Sequence, residues 1–151
     1  MSVQHSTLTG SDLHEPKGAA SASANKVYVA NGTGSGSWTP LTFSFNTHIE
    51  DISTATDVYI PIPYAGSITK ITTATSGAVS TSDLVLTFYD SSSNSMGSIT
   101  VTSSGSAAGD VDTLSPASNN TVTANDYIRV NGDGGPSAHT SLWINIVMER
   151  S

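Results

Sequence analysis

The C-terminal stretch Ser141-Leu-Trp-Ile-Asn-Ile-Val-Met148 decides the fold class of this chain. Its large apolar residues recur at every second position, and successive side chains of a β-strand point to opposite faces of a sheet. Two further stretches show the same alternation. We expect the three resulting stripes to form most of a hydrophobic core: Leu142, Ile144, Ile146 and Met148; Val58, Ile60 and Ile62; and Leu84, Leu86 and Phe88.

Apolar runs separated by turn-forming residues continue through residues 41–151. Separators such as Ser91–Asn94 and Asn131–Pro136 are rich in Ser, Asn and Gly, which favour turns. About eight strands with long loops favour an antiparallel β-sandwich of jelly-roll type, whereas an immunoglobulin-like sandwich would carry a Cys-Trp-Cys framework. Pro61 and Pro63 confine their strand to a sheet edge, or to a position where its N–H groups face away from the ladder. The predicted strands span residues 41–46, 57–62, 67–73, 83–89, 97–102, 120–123, 126–130 and 141–148.

The composition supports an all-β chain with a less apolar N-terminal part. Only 11% of residues are charged, against about 25% in average domains. Ser and Thr occupy 46 of 151 positions, which favours strands and turns and excludes a helical bundle. Leu, Ile, Val and Phe are sparse before Pro40 and frequent after it. We therefore predict an extended arm and Gly/Ser-rich linker in residues 1–40 and a β-sandwich domain in residues 41–151.

Charge and cysteine content exclude several classes of function. The net charge is −7, and the five cations are scattered along the chain, so nucleic acid is not expected as a direct partner. The sequence shows no signal-peptide pattern and no apolar run long enough to cross a membrane, so we expect synthesis in the cytoplasm and no membrane partner. The absence of cysteine excludes disulfides, thiol nucleophiles and Cys-ligated metals.

The segment 5–25 has no helical or strand periodicity. Leu8 and Leu13 are its sizeable apolar residues, and Pro16 biases Glu15 towards an extended conformation. Such a segment cannot build a core by itself, because it has too little apolar surface to offset the entropy of ordering. The pattern is typical of a segment that becomes ordered by docking on another surface.

A short strand and a glycine-rich stretch follow this segment. Lys26–Asn31 reads as a strand with Val27 and Val29 on one face, and Gly32–Ser37 reads as a flexible connector. The connector does not read as a phosphate-binding loop, because Trp-Thr-Pro follows it where a dinucleotide-binding unit would begin a helix.

Two acidic clusters contain residues of the kinds that bind metals. His48-Ile49-Glu50-Asp51 brings three possible ligands together, but in an extended strand His48 and Glu50 face one way and Asp51 the other. Asp110-Val111-Asp112, with Asp126 and Asp133, raises the question of calcium, yet no EF-hand pattern is present. Polar loops and solvated turns are the favoured reading of both clusters, and no metal or cofactor is expected.

No catalytic set emerges from the sequence. A Ser nucleophile would need Gly-x-Ser-x-Gly between a strand and a helix, whereas Gly34-Ser35-Gly36 and Gly105-Ser106 lie in Gly/Ser-rich segments. A glycosidase would need two carboxylates that flank a sugar cleft, and nothing among Glu15, Glu50, Glu149 and the turn aspartates selects such a pair. We therefore predict a protein that is not an enzyme.

Three aromatic residues are out of phase with the apolar stripes and should point outward: Tyr59, Tyr89 and Trp143. Rings of this kind stack on glycans or lie between subunits. The predicted strands carry mainly Ser, Thr and aromatic residues, with Lys70 and Arg129 as nearly their only cations. Monomeric sandwiches protect their edges and faces with charge, so the pattern favours the subunit interface over the glycan site.

The N-terminal segment resembles a known class of proteins. His5-Ser-Thr-Leu-Thr-Gly-Ser-Asp-Leu-His-Glu-Pro-Lys-Gly18, followed by Asn25–Trp38, is similar to the N-terminal region of small virion proteins of tailed bacteriophages, of the capsid-decoration and head-fibre kind. The Leu-x-Gly-x-Asp-Leu-His-Glu-Pro-Lys-Gly run is its distinctive part. The resemblance implies an N-terminal anchor on the capsid shell and an outward β domain, usually in a trimer. Its candidate anchor residues are Leu8, Leu13, His14, Glu15, Pro16 and Lys17.

The sequence thus predicts a bacteriophage virion structural protein that decorates or stabilises the capsid. Its expected partners are the major capsid protein and, in a homotrimer, further copies of itself. Its expected location is the capsid surface, after synthesis in the cytoplasm of the host bacterium. The alternative is a tail-associated adhesin or glycan-binding receptor-recognition module. A hydrolase of surface polysaccharide is a third possibility, for which the sequence identifies no carboxylates.

Overall fold

The structure is a computed structural model that describes residues 21–33, 36–136 and 140–151. The chain divides into two compact units, Met1–Leu41 and Thr42–Ser151. Within the described residues, every regular element of more than a single turn is a β-strand.

The described part of the first unit is an antiparallel hairpin of β1 (Lys26–Ala30) and β2 (Gly36–Pro40). Tyr28 lies opposite Trp38, and the two rings meet edge to face with centroids 5.4 Å apart. Strand β1 agrees with the sequence prediction. Strand β2 corrects the prediction that the flexible connector extends to Ser37, because five residue pairs and the aromatic contact stabilise this segment as a strand.

The second unit contains the remaining strands, which form two antiparallel sheets. One sheet has four strands in the order β4-β10-β6-β7, and the other has the order β3-β11-β5-β8, with β9 also paired to β5. The strands are β3 (Thr42–Ile49), β4 (Thr56–Ile62), β5 (Gly66–Thr75), β6 (Leu84–Tyr89), β7 (Ser95–Val101), β8 (Val111–Leu114), β9 (Thr121–Val122), β10 (Asp126–Gly132) and β11 (Leu142–Arg150).

The strands of this unit pair in a nested way. Strand β3 pairs with β11, β4 with β10, β5 with β8 and β6 with β7. Rolling up this long double strand brings β11 beside β5 and β10 beside β6, and both of these pairs also form ladders. This arrangement of two packed sheets is a jelly roll. The predicted all-β, jelly-roll-like sandwich is therefore confirmed.

The inward side chains of both sheets form one hydrophobic core. All members of the three predicted stripes are buried except Val58, which is partly buried and packs against the core from edge strand β4. Each fully buried Ile, Leu or Phe side chain contributes about 1.5–3 kcal/mol, so these stripes dominate the stability of the sandwich.

The structure confirms the prediction for one edge strand, β4, and corrects it for another, β8. Pro61 lies in β4, which is an edge strand as predicted, and an edge tolerates the missing N–H of proline. Strand β8 was not predicted, because it is short and contains Asp112. It corrects the interpretation of Asp110–Asp112 as a loop, since Val111–Leu114 pairs with Ile71–Ala74 of β5.

Candidate functional site

The predicted functional residues fall into three regions. The predicted anchor residues Leu8, Leu13 and His14–Lys17 lie outside the described residues. Tyr59 and Tyr89 lie on the outer face of the four-stranded sheet, and Trp143 lies on the outer face of the five-stranded sheet. The fold therefore separates the predicted aromatic set into two surfaces.

On the four-stranded sheet, Arg129 of β10 lies in register between Tyr59 of β4 and Tyr89 of β6. Its guanidinium carbon is 4.2 Å from the centroid of the Tyr89 ring, which is a cation–π distance. Arg129 thus covers one side of the Tyr89 ring. The Tyr59 side chain is 56% exposed and is the ring that this part of the sheet presents to solvent.

A second tyrosine supports Tyr59. The rings of Tyr59 and Tyr127 meet edge to face with centroids 5.2 Å apart, and Tyr127 is 38% exposed. The hydroxyl of Tyr127 donates to the carbonyl oxygen of Ser91 at 3.3 Å. The sequence analysis did not identify Tyr127 as a candidate. Its position out of phase with Ile128 and Val130 predicts an outward side chain, as the pattern around Tyr59 does.

Polar side chains border these rings on the same face. The carboxylate of Asp57 lies 3.6 Å from Arg129 Nη1, and its Oδ1 atom accepts a hydrogen bond from Asn131 Nδ2 at 2.9 Å. An exposed ion pair adds little stability, and this one brings the two side chains together. We call Asp57, Tyr59, Tyr127, Arg129 and Asn131 the tyrosine face. It combines an aromatic half with a hydrogen-bonding half.

The outer face of the five-stranded sheet has a different character. His48, Trp143, Ala74 and Val111 lie in register across its four main strands. Trp143 is 55% exposed, and its ring centroid is 4.5 Å from that of His48. We call these four residues the tryptophan row.

The neighbouring row on this sheet is polar but uncharged. It consists of Asn46, Asn145, Thr72 and Thr113, which also lie in register. Asn145 Nδ2 donates to Asn46 Oδ1 at 2.6 Å. An aromatic centre with little charge around it is typical of surfaces that pack against protein.

The acidic segments weighed as metal sites form local hydrogen bonds. His48 stacks on Trp143, and the Asp51 carboxylate accepts from the amide and hydroxyl of Ser53 at 2.9 and 2.6 Å. Asp110 Oδ2 accepts from the amide of Ala107 at 2.6 Å. Across the described residues, no three His, Cys, Asp or Glu side chains are grouped so that they could hold a metal ion.

Two aspartates carry shifted pKa values. The amide and then the hydroxyl of Ser103 donate to Asp83, which lowers the pKa of that carboxyl. The pKa of Asp126 is lowered mainly by the Ser91 hydroxyl, at 2.7 Å, and next by the Tyr127 amide, at 2.9 Å. Both shifts come from hydrogen bonds to the charged form, which is how carboxylates stabilise turns.

A cleft of about 480 Å³ opens beside the end of β4. It is lined by Phe45, Pro61–Pro63, Asn125 and Asp126, so its lining includes one carboxylate. Glycoside hydrolysis uses two carboxyl groups on either side of the bond that is cleaved. The chemistry of this lining therefore suits apolar contact better than hydrolysis.

In the described part of the chain, no helix is long and apolar enough to span a membrane.

Comparisons with known proteins extend the fold assignment. No protein-family model and no curated protein matches the sequence. The chain is similar to one in the acidic stable capsid structure of Helicobacter pylori bacteriophage KHP30, with a TM-score of 0.52 and 9% identity over 82% of this chain and 90% of that chain. A chain of the cyanophage Pam1 capsid asymmetric unit gives a TM-score of 0.43 and 13% identity over 73% and 81%. The first likeness shows a shared fold, and the second is too low in TM-score to add to it.

Proposed function

We propose that the protein is a non-enzymatic structural protein of a bacteriophage virion that decorates or stabilises the capsid. The fold shared with a chain of the KHP30 capsid structure carries this proposal, since the likeness extends over 90% of that chain. The resemblance of residues 5–38 to decoration and head-fibre proteins supports the same function. That resemblance rests on a segment that precedes the sandwich.

In this proposal, the N-terminal arm attaches the protein to the major capsid protein. Its anchor residues are Leu8, Leu13 and the turn His14–Lys17. A segment of this kind gains backbone pairing and a few anchor contacts when it docks. One arm binds weakly, whereas three arms of a homotrimer act at a high effective concentration, which raises avidity by about 10²–10⁴.

The outer face of the five-stranded sheet is the proposed contact between copies in the trimer. Trp143 at its centre supplies apolar area, and the row of Asn46, Asn145, Thr72 and Thr113 supplies uncharged hydrogen-bonding groups, while the charged Lys70 lies exposed at the border of that row. This surface costs less to bury than a charged one. Sedimentation at micromolar concentration should then give three times the monomer mass of 15.5 kDa.

Binding to empty expanded capsids tests the attachment. Deletion of residues 1–25 should abolish binding, and so should the double variant Leu8→Ser/Leu13→Ser. The double variant Thr7→Ala/Thr9→Ala changes neighbouring polar residues of the same segment and should bind as the wild type does. Undiminished binding by the truncated protein would contradict the proposed anchor. A tail-associated adhesin, the alternative function, would not bind capsids in any of these forms.

A further inference from the structure

We propose that the tyrosine face binds a neutral saccharide. The Tyr59 ring is exposed there, and the Asp57 carboxylate, the Arg129 guanidinium and the Asn131 amide lie beside it on one sheet surface. A pyranose ring offers a C–H surface that packs on an aromatic ring and a rim of hydroxyls that exchange hydrogen bonds with polar groups. The tyrosine face offers both kinds of contact side by side.

The spacing of the face fits a ligand of this size. Asp57 and Tyr59 are two residues apart on β4, which separates them by about 7 Å along the strand. Arg129 lies directly opposite Tyr59, and Asn131 lies directly opposite Asp57. A sugar ring stacked on Tyr59 therefore has one carboxylate, one guanidinium and one amide within reach of its hydroxyls. Arg129 donates only, while Asp57 accepts and Asn131 does both.

The side chains of the face are held in place before any ligand binds. Tyr127 supports Tyr59 from the side, and Tyr89 and Asp57 hold Arg129 from two directions. Asn131 in turn holds Asp57. A preorganised set loses little side-chain entropy on binding, which is what a shallow surface needs to bind a polar ligand.

The charge of the face and of the whole chain determines which class of saccharide can bind. Asp57 and Arg129 compensate each other on the face, and the whole chain carries a net charge of −7. Acidic or phosphorylated sugars would be repelled by the chain, and the local pair offers them no uncompensated cation. We therefore expect neutral hexoses and their oligosaccharides.

A second copy of the chain is the competing occupant, and the tyrosine face suits it less well. A protein partner would bury the Asp57–Arg129 pair, and desolvation of an ion pair costs more than its attraction returns unless further hydrogen bonds form. The tryptophan row and the uncharged row beside it involve no such cost. The saccharide proposal also stands apart from the proposed capsid role, because free protein is sufficient to test it.

The test is a glycan array of neutral hexose oligosaccharides probed with the full-length protein, followed by calorimetric titration of the strongest hit. Tyr59→Ala should lower the affinity at least about tenfold, because the ring supplies the stacking surface. Tyr59→Phe keeps that surface and should bind within about threefold of the wild type, by the same scale. Asp57→Asn, which removes the charge of one partner, should weaken binding measurably.

Tyr64→Ala is the matched control, because it removes the same kind of side chain from another exposed position, and Tyr64 belongs neither to the tyrosine face nor to the proposed contact between copies. Its affinity for the saccharide should equal that of the wild type. Circular dichroism spectra of all variants verify that the fold is retained. The proposal is overturned if no neutral saccharide binds, if Tyr64→Ala abolishes binding, or if Tyr59→Ala changes the oligomeric mass and leaves saccharide affinity unchanged.

Discussion

Replacement of two buried threonines of β5 by valine should change the stability of the protein in opposite directions. Thr73 and Thr75 are two residues apart on the same strand, and both are buried in the sandwich. Thr73 Oγ1 has no hydrogen-bond partner among the described residues, whereas Thr75 Oγ1 donates to the carbonyl oxygen of Ala107 at 3.1 Å. Replacement of each by Val exchanges the hydroxyl for a methyl group and keeps the β-branched shape.

The magnitudes follow from the two environments. A buried hydroxyl without a partner costs about 1–3 kcal/mol, so its removal in Thr73→Val should stabilise the protein by about that amount. The new buried methyl adds up to about 0.8 kcal/mol in either variant. Thr75→Val loses one hydrogen bond, worth about 1 kcal/mol. The Ala107 carbonyl still accepts from the amide of Asp110 at 3.2 Å, so the loss stays small. Because the methyl term is common to both, the two variants should differ by about 2–4 kcal/mol.

Urea unfolding followed by far-UV circular dichroism measures both variants. Protein concentration must be equal in all samples, since self-association would add to the apparent stability. Thr73→Val should raise the midpoint and Thr75→Val should lower it, with unchanged slopes. A destabilised Thr73→Val protein would refute the reasoning, because it would mean that the hydroxyl has a stabilising partner.

Two further predictions concern a glycine and a carboxylate. Gly134 and Gly105 both have positive φ, but a Cβ on Gly134 would collide with the backbone of Ala55, and one on Gly105 would meet open space. Gly134→Ala should therefore cost about 1–3 kcal/mol more than Gly105→Ala in urea unfolding, and equal costs would contradict this. Because the pKa of Asp126 is lowered in the fold, its stabilising contribution is present above about pH 4 and is lost as the pH falls through the folded value. Asp126→Asn should be less stable than the wild type at pH 7, by at most about 1 kcal/mol, and this difference should shrink as the pH falls below about 4.

The fold could be predicted from the sequence because its strongest strands are long and strictly alternating. Leu142–Met148 and Leu84–Phe88 reveal their buried face by period alone, and a turn-forming segment precedes the first and follows the second. Strand β8 gave no such signal. It has four residues, and only Leu114 among them packs against the core. It is a strand because β5 offers it a partner 40 residues away in sequence, and a local pattern does not contain that information.

For the same reason, the sequence predicts that the candidate residues point outward but not which of them share a surface. Alternation shows that Tyr59 and Trp143 point outward, but it does not show which sheet each strand joins. The nested pairing of the jelly roll puts Arg129 between Tyr59 and Tyr89 and moves Trp143 to the other sheet. A set of residues that looked like one site in the sequence is therefore two surfaces in the fold.

The scarcity of charge has a different consequence on each of these surfaces. Lys70, Arg129 and Arg150 are the cations of the sandwich strands, and Arg129 is the one that lies on the four-stranded sheet. Arg129 is engaged by Asp57 and Tyr89, so the tyrosine face keeps a bound and compensated pair that favours small polar ligands over burial. Around Trp143, solubility depends on Asn and Thr side chains instead. These hold water less strongly than Lys or Glu, so association through the tryptophan row requires little desolvation.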